Sequence, residues 1–182
     1  HYDLGNEFFS IWLDKTLTYS SAIYESPKDD LTNAQTNKYN KLIDFIKPKP
    51  GDKVLEIGSN DGPFISNFDK DSSICVEPCD NFAKVTADMG YKTNTEFWTT
   101  KLSQKIKDDD DEMDLIYSAN CICHIQDLDD CFSAVANLLS DKGVFVFEDP
   151  SLLRMLERGS YDQIYDEHAH VFSVTALDNI LR

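Results

Sequence analysis

The side chains with the clearest chemical meaning surround a short glycine loop. Residues 58–62 read GSNDG and follow an apolar segment that contains Glu56, while a second acid, Glu77, ends the next apolar segment. Glycines let a backbone approach a ligand closely, and an acid at the tip of a second strand suits ribose hydroxyls. The expected ligand contacts in this region are Glu56, Gly58, Asn60, Gly62, Glu77 and Pro78.

The spacing of the loop indicates which kind of ligand it binds. It lacks the G-x-G-x-x-G pattern that makes room for the pyrophosphate of a dinucleotide. The negative charge of Glu56 would repel a phosphate group and attract a cation. S-adenosylmethionine carries an ammonium and a sulfonium group and no phosphate, so the loop favours this cofactor. The alternative is a tight turn flanked by two surface glutamates.

Two further regions are candidates for cofactor binding. Glu96 and Phe97 follow the third predicted strand, where a carboxylate can accept from an adenine amino group and a ring can stack on the base. The alternative is that Phe97 and Trp98 belong to the core. Ala119 and Asn120, at the end of the fourth predicted strand, complete the expected cofactor contacts.

The elements that must position these residues alternate in type. The sequence predicts an N-terminal cap with an aromatic-rich opening from Tyr2 to Tyr24, which we expect to lie over the mouth of the sheet. Strands are predicted at residues 53–57, 73–77, 91–95, 114–119 and 144–148. Helices are predicted at residues 31–46, 63–68, 81–89 and 175–181, and after Asp127. This alternation predicts an α/β, Rossmann-like and mostly parallel sheet.

The predicted organisation is a single domain over residues 1–182. Residues 1–50 form the cap, 51–150 the Rossmann-like core and 151–182 a segment on the substrate side. A complete sheet of this type usually finishes with an antiparallel hairpin, and no sequence follows to build one. We therefore expect the last strands to be absent and the chain to be truncated.

Charge and composition exclude several kinds of partner. The net charge is −16, from 33 acidic and 17 basic residues, and such a field repels nucleic acid and anionic lipid. The acidic run 108–112 is expected to be a solvated loop. No apolar run approaches the roughly 20 residues that span a bilayer, and the opening lacks a secretory signal, so we expect a cytoplasmic protein. The sequence sets no oligomeric state.

The cysteines and histidines do not predict a metal site. Five cysteines at positions 75, 79, 121, 123 and 131 lack zinc-binding spacing, and Cys75, Cys121 and Cys131 lie in apolar stretches typical of a core. His168 and His170 stand near Asp166 and Glu167, but not in the H-E-x-x-H arrangement. Methyl transfer requires no metal, so none is expected.

Residues 52–182 resemble the sugar C-methyltransferases, which act on nucleotide-linked ketosugars. The matching segments are EIGSNDG at 56–62, VEP at 76–78 and much of 117–177, and the most distinctive is Tyr165-x-Glu167-His168. The resemblance implies a general base at His168, supported by Tyr165 and Glu167, with His124 lining the pocket. Without this resemblance, the sequence favours a hydrogen-bonded structural role for His168 and a helix-capping or loop role for His124.

The opening segment is similar to a different group, the cyclopropane-fatty-acid synthases. HYDLGNEFFSIWLDKTLTYSSAIY and the helix start LTNAQ carry this likeness, which implies that Tyr19 and Ser20 touch the cofactor. The next position in that family is normally a cysteine associated with bicarbonate binding, and here it is Ser21. The glycine loop also lacks the Cys-Gly-Trp-Gly pattern of that family.

Three functions follow from these residues. The first is S-adenosylmethionine-dependent C-methylation of a small carbonyl substrate, such as a nucleotide-linked ketosugar. In that chemistry a histidine takes a proton from the carbon next to a ketone, and a tyrosine stabilises the enolate oxygen. The second is a lipid-modifying, cyclopropane-synthase-like methyltransferase. The third is a cofactor-binding fragment without activity of its own.

Overall fold

The computed structural model describes residues 6–182, which divide into two compact units. One unit ends at Pro50 and the other runs from Gly51 to Arg182. This boundary coincides with the predicted end of the cap. Tyr2 of that cap lies outside the described residues, and the expected position of the cap over the sheet stays a prediction.

The first unit is organised around one long helix. It contains the short helix α1 (Asn6–Phe9) and helix α2 (Leu31–Ile46), whose bounds agree with the prediction. Asp30 caps α2 by accepting the Asn33 N–H, and Lys47 ends it in a left-handed conformation. Gln35 of α2 is buried, and its side chain donates to the Ser20 carbonyl at 2.8 Å. The helix therefore fixes the backbone around Ser20.

The second unit contains a five-stranded parallel sheet in the order β3-β2-β1-β4-β5. Its strands are β1 (Val54–Ile57), β2 (Ser73–Val76), β3 (Lys92–Asn94), β4 (Met113–Ala119) and β5 (Leu139–Glu148). Its helices are α3 (Asp80–Asp88), α4 (Thr100–Asp110), α5 (Leu128–Leu138), α6 (Leu152–Arg158) and α7 (Val174–Ile180). The predicted Rossmann-like α/β fold is confirmed.

The core explains why this alternation folds. All four residues of β1 and of β2 are buried, as expected for parallel strands covered on both faces. Helices α4 and α5 bury apolar side chains against the sheet. Because all five strands run in one direction, their carboxyl ends meet at one edge, where ligands bind in such sheets. We call this the carboxyl edge.

Two local predictions were wrong. The helix predicted from residue 63 is only a 3-10 turn, Ile65–Asn67, because the Ile65 N–H donates to the buried carboxylate of Glu56 at 3.0 Å. The acidic run predicted as a loop instead begins within α4, which the sequence reading missed. Thr99 caps α4 by accepting the Leu102 N–H, and its buried residues include Leu102 and Ile106.

The fifth strand begins earlier than predicted. β5 pairs with β4 from Leu139 rather than from Val144. The register shifts between Met113 and Leu115, and the predicted turn at 141–143 lies within this irregular part of the strand. Past the shift, β4 and β5 pair regularly to Glu148, so both strands end together at the carboxyl edge.

Among residues 6–182, no helix has both the length and the apolar character needed to cross a membrane.

Candidate functional site

The glycine loop is shaped by residues with positive φ angles. Gly58 has φ +72°, Asn60 +49° and Gly62 +84°. A Cβ added to Gly58 would lie 2.8 Å from the Cys121 Sγ, so a side chain here must displace its neighbour. The Asn60 side chain accepts the Asp61 N–H at 2.8 Å, which stabilises its own left-handed backbone. Glycine is therefore required at position 58 by both backbone angle and space.

Glu77 joins the glycine loop to the end of β2. Its side chain is buried, and its Oε2 accepts the Asn60 N–H at 2.9 Å. Its Oε1 accepts the Cys79 N–H, also at 2.9 Å. A carboxylate oxygen has two lone pairs, so both oxygens can still accept from hydroxyl groups. The carboxylate is thus fixed in orientation while keeping the capacity to bind a ribose.

Glu56 is a buried acid whose charge is poorly compensated. Its side chain is 4% exposed and accepts a hydrogen bond from the Ile65 N–H at 3.0 Å. Burial raises the pKa of this carboxyl well above its usual range, the Ile65 hydrogen bond lowers it, and the charges of Asp61 and Glu77 raise it further. A cationic ligand nearby would supply the missing positive charge.

Asn94 was not predicted as a site residue. It ends β3, and its carbonyl accepts the Glu77 N–H at 3.0 Å. Its side-chain Nδ2 is buried without a hydrogen-bond partner among the described residues. A buried donor of this kind fits an acceptor on a bound nucleoside. Its position at the end of a predicted strand is the signal from which the sequence could have identified it.

The predicted adenine site at Glu96 and Phe97 divides into separate environments. The Glu96 carboxylate pairs with Lys105 Nζ at 2.9 Å, and this hydrogen bond lowers the pKa of Glu96. The Phe97 ring is 78% exposed. Trp98, in contrast, is buried and its Nε1–H donates to the Cys131 carbonyl at 3.1 Å. The alternative assignment to the core therefore holds for Trp98 and is wrong for Phe97.

The segment after β4 approaches the glycine loop. Ala119 ends β4, and Asn120 has φ +50° with its N–H donating to the Glu148 carbonyl at 2.6 Å. Cys121 is partly buried, packs against the edge of the core and lies close to Gly58, so its predicted place in the core is confirmed in part. Cys75 and Cys131 are buried as predicted. The ends of β1 and β4 thus meet at Gly58 and Cys121.

His124, Tyr165 and His168 form a cluster beyond this point. His124 ends the 3-10 turn Ile122–His124, which follows β4. The ring centroids of His124 and His168 are 4.9 Å apart, and those of Tyr165 and His168 are 4.1 Å apart. The structure therefore brings together three of the four predicted catalytic side chains.

Backbone hydrogen bonds hold this cluster in place. The His170 N–H donates to the Cys123 carbonyl at 3.1 Å, and its Nε2 lies 3.2 Å from the Gln126 carbonyl. The Leu152 N–H donates to the Phe172 carbonyl at 2.9 Å. The two bonds of His170 join the segment around His168 to the segment after β4, and the third joins it to the start of α6. His170 thus helps to position the neighbouring His168.

Glu167 contributes differently from the expectation. Its backbone carbonyl lies 2.7 Å from the Nδ1 of His124, while its side chain is exposed. The Nδ1 of His168 instead lies 2.8 Å from the Gln163 carbonyl. The imidazole of His168 is thus oriented by Gln163, not by the Glu167 carboxylate.

Cys123 and Asp149 belong to the same region and were not predicted. Asp149 follows β5, and its Oδ1 accepts the Cys123 N–H at 3.3 Å, while its Oδ2 is buried without a partner among the described residues. Burial raises the pKa of Asp149, although hydrogen bonds from Cys123 and the charges of His124 and His168 act in the opposite direction. Its place directly after a predicted strand was the available signal.

The remaining predicted residues, Tyr19 and Ser20, lie in the first unit. They line a cavity of about 300 Å³ together with Leu13, Thr18, Leu31 and Gln35. The Ser20 hydroxyl accepts from Lys38 Nζ at 2.5 Å. Within this unit α2 holds Ser20 through Gln35 and Lys38, and the contact of Tyr19 and Ser20 with a cofactor stays a prediction.

Comparison with known proteins identifies a family. The family model described as mycolic acid cyclopropane synthetase matches residues 1–171. The chain is 32% identical over 143 residues to C-methyltransferase NovU from Streptomyces niveus, covering 75% of the chain and 34% of that relative. It is 30% identical over 148 residues to cyclopropane-fatty-acyl-phospholipid synthase from Escherichia coli, covering 80% of the chain and 38% of that relative.

Solved structures show the same fold. The cyclopropane synthase MmaA2 from Mycobacterium tuberculosis matches with a TM-score of 0.75 at 21% identity, over all of this chain and 70% of that one. The mycolic acid cyclopropane synthase CmaA1, complexed with SAH and CTAB, also matches with a TM-score of 0.75, at 20% identity, over 99% of this chain and 70% of that one.

The chain spans about a third of the length of the curated relatives it matches. Both predicted resemblances, to C-methyltransferases and to cyclopropane synthases, are confirmed by these matches. The chain belongs to the mycolic acid cyclopropane synthetase family, within the class I S-adenosylmethionine-dependent methyltransferases.

Proposed function

We propose that this protein is an S-adenosylmethionine-dependent C-methyltransferase acting on a carbonyl-activated carbon of a small substrate, such as a nucleotide-linked ketosugar. The observation that carries the proposal is the cluster of His124, Tyr165 and His168 in the unit that contains the glycine loop. The similarity to a C-methyltransferase over 75% of the chain supports it.

The cofactor half of the site consists of the glycine loop, Glu77 and Asn94. When bound, S-adenosylmethionine supplies an electrophilic methyl group on a positively charged sulfur. Glu77 would accept from the ribose hydroxyls, and the buried amide of Asn94 would donate to the nucleoside. Glu56 stabilises positive charge because its buried carboxylate lacks a cationic partner among its described contacts. These roles fit a nucleoside that carries cations rather than phosphates.

His168 acts as the general base. Its Nδ1–H donates to the Gln163 carbonyl, so in the neutral imidazole the lone pair lies on Nε2. Nε2 takes the proton from the carbon next to the substrate carbonyl. The electron pair of that C–H bond would remain with the substrate carbon, which would then accept the methyl group that S-adenosylmethionine supplies as its bond to sulfur breaks. The proton then leaves His168 for solvent.

Tyr165 and His124 stabilise the charges that develop around this step. The ring of Tyr165 packs on the His168 ring. In this position the Tyr165 hydroxyl donates to the enolate oxygen of the substrate. The His124 ring lies against the His168 ring and lines the proposed substrate pocket. Asp149 offsets the positive charge of protonated His168, since the two groups interact electrostatically.

The second candidate is a lipid-modifying methyltransferase. The family model and the Escherichia coli relative, whose name specifies cyclopropanation of fatty acyl phospholipids, favour it. Ser21 and the glycine loop depart from the pattern of those enzymes. The net charge of −16 also opposes approach to an anionic bilayer.

Transfer of labelled methyl groups distinguishes these candidates. We expect label from S-adenosylmethionine to enter a nucleotide-linked ketosugar and not vesicles of unsaturated phospholipid, with or without bicarbonate. His168→Ala should lower turnover by about 10²- to 10⁴-fold while leaving cofactor affinity unchanged. Tyr161→Phe, at an 80% exposed ring nearby, is the control. Label in phospholipid, or cofactor binding without transfer to any acceptor, would contradict the proposal.

A further inference from the structure

Three side chains near the proposed base have the composition of a metal site. The Cys123 Sγ and one ring nitrogen each from His124 and His168 all lie within 4.8 Å of one another. Cys123 is buried, while the two histidines are partly exposed and open the cluster to solvent. Thiolate and imidazole are the ligands that Zn²⁺ prefers.

The two histidines are oriented as metal ligands usually are. The Nδ1 of His124 lies 2.7 Å from the Glu167 carbonyl, and that of His168 lies 2.8 Å from the Gln163 carbonyl. A carbonyl only accepts, so each Nδ1 carries the proton and each Nε2 carries the lone pair in the neutral ring. Metal-binding histidines commonly donate their second nitrogen to a backbone carbonyl in this way.

We propose that Cys123, His124 and His168 bind Zn²⁺ or a similarly soft divalent cation, and that the bound ion inhibits methyl transfer. The binding half stands on the geometry of the three side chains. The inhibitory half rests on the proposed function, because it requires His168 to be the base. This proposal revises the expectation of no metal, which rested on sequence spacing and on the fact that methyl transfer requires no metal.

The required rearrangement is small. Zn–S and Zn–N bonds of about 2.3 and 2.0 Å in a tetrahedron place neighbouring ligand atoms about 3.5 Å apart. The three atoms, which lie within 4.8 Å of one another, therefore need to close by about 1.3 Å at most. Three protein ligands leave the fourth position to a water molecule.

Binding of the ion displaces one proton. It replaces the S–H bond of Cys123 with an S–Zn bond, and the proton is released to solvent through the partly exposed side of the cluster. The Cys123 backbone N–H donates to the Asp149 Oδ1 at 3.3 Å, which fixes the backbone that carries the thiol.

The ion and the reaction compete for one electron pair. The Nε2 lone pair of His168 either coordinates the cation or accepts the substrate proton. A filled site therefore leaves the proposed base without function, while the cofactor contacts at Glu77 and Asn94 are unaffected.

Titration with Co²⁺ tests the binding half directly, since a cobalt–thiolate bond gives a charge-transfer absorption band. We expect one Co²⁺ per chain with this band, displaced by Zn²⁺. Cys123→Ser should abolish the band, and His124→Ala should weaken binding by about 10- to 100-fold. Cys79→Ser, at a partly exposed thiol of another segment, is the matched control. If Cys123→Ser fails to fold, the unmodified protein still decides: no charge-transfer band overturns the site.

The inhibitory half has its own measurement. Zn²⁺ should lower methyl transfer to about a tenth or less at saturation, a chelator should restore it, and cofactor affinity should not change. A charge-transfer band without inhibition overturns this half and counts against His168 as the base. Inhibition without the band overturns the binding half. The two failures are therefore distinguishable.

Discussion

The two halves of the carboxyl edge are built from different kinds of contact. In the cofactor half, Gly58 donates its N–H to the Val76 carbonyl at 2.8 Å, and Asn60 donates to Glu77. Both bonds join the ends of two neighbouring strands. In the acceptor half, which contains His124, Tyr165 and His168, the bonds of the His124 and His170 rings connect segments more than 40 residues apart in the sequence, while the His168 ring bonds to the nearby Gln163 carbonyl.

This difference has a consequence for stability and specificity. The cofactor half is attached by hydrogen bonds to the ends of two buried, paired strands. The acceptor half lies on turns with exposed side chains, and Tyr165 is 45% exposed. Segments of this kind open with lower free energy than a core strand. The cofactor half can thus be retained while the residues of the acceptor half change to suit another substrate.

The largest effect is expected for Gly58→Ala, which tests how closely packed the cofactor half is. The backbone at residue 58 has a φ of +72°, which is strained for alanine, and the new Cβ would lie 2.8 Å from the Cys121 Sγ. The free energy of unfolding should therefore fall by about 2–4 kcal/mol. Chemical denaturation measures it. Gly159→Ala, at φ +65° with open space, controls for backbone strain and should cost only about 1 kcal/mol.

A second substitution separates the steric part of that effect. Cys121→Gly removes both nearby atoms, so the double variant should recover about 1–2 kcal/mol relative to the sum of the single variants. Strict additivity of the two substitutions would show that the close approach is not what requires glycine.

Glu77→Ala should weaken S-adenosylmethionine binding by about 100-fold. The variant removes the acceptor for the ribose hydroxyls and also the hydrogen bond that orients Asn60. Calorimetry measures the dissociation constant. His168→Ala, in the acceptor half, should leave that constant unchanged. Equal losses of cofactor affinity in both variants would mean that the two halves are not separate.

Tyr165→Phe should lower kcat by about 10-fold, because it removes a hydroxyl donor to the enolate and keeps the ring on His168. Steady-state kinetics should show no change in the KM for cofactor. Tyr161→Phe, at an exposed ring four residues earlier, should behave like the unmodified protein. Identical kinetics for both variants would remove Tyr165 from the proposed mechanism.

The cofactor half could be predicted because its signals are local. Strand, glycine loop and acid follow one another in the sequence, and the fold that they predicted is confirmed. Asn94 was missed because β3 is short and weakly apolar. The helix predicted after Gly62 was wrong because no local rule shows that the Glu56 carboxylate takes the Ile65 N–H.

The acceptor half could be predicted only in part. A resemblance identified His124, Tyr165 and His168, but the orientation of each imidazole depends on carbonyls of other residues. Cys123 and Asp149 join the cluster through the pairing of β4 with β5, which sequence spacing does not reveal. Helix α4 was missed because most of its residues are polar, and only its buried face indicates a helix.

The smallest effect on stability is expected for Glu56→Gln, which removes the buried carboxylate of the cofactor half. Burial raises the pKa of Glu56 above its usual 4.5, so the folded state holds a proton that the unfolded state has lost. Stability from this group is therefore present at low pH and is lost as the pH rises from about 4.5 through the folded-state pKa.

Glutamine keeps the acceptor for the Ile65 N–H and carries no charge. Without cofactor, Glu56→Gln should therefore raise the free energy of unfolding by about 1 kcal/mol at neutral pH, with a smaller gain at pH 5. With S-adenosylmethionine present the sign should reverse, because the cationic ligand favours the carboxylate. Thermal melts at several pH values test both signs, and Asp141→Asn, an exposed acid, corrects for the change in net charge. A gain that persists with saturating cofactor would show that Glu56 does not serve the cationic end of the ligand.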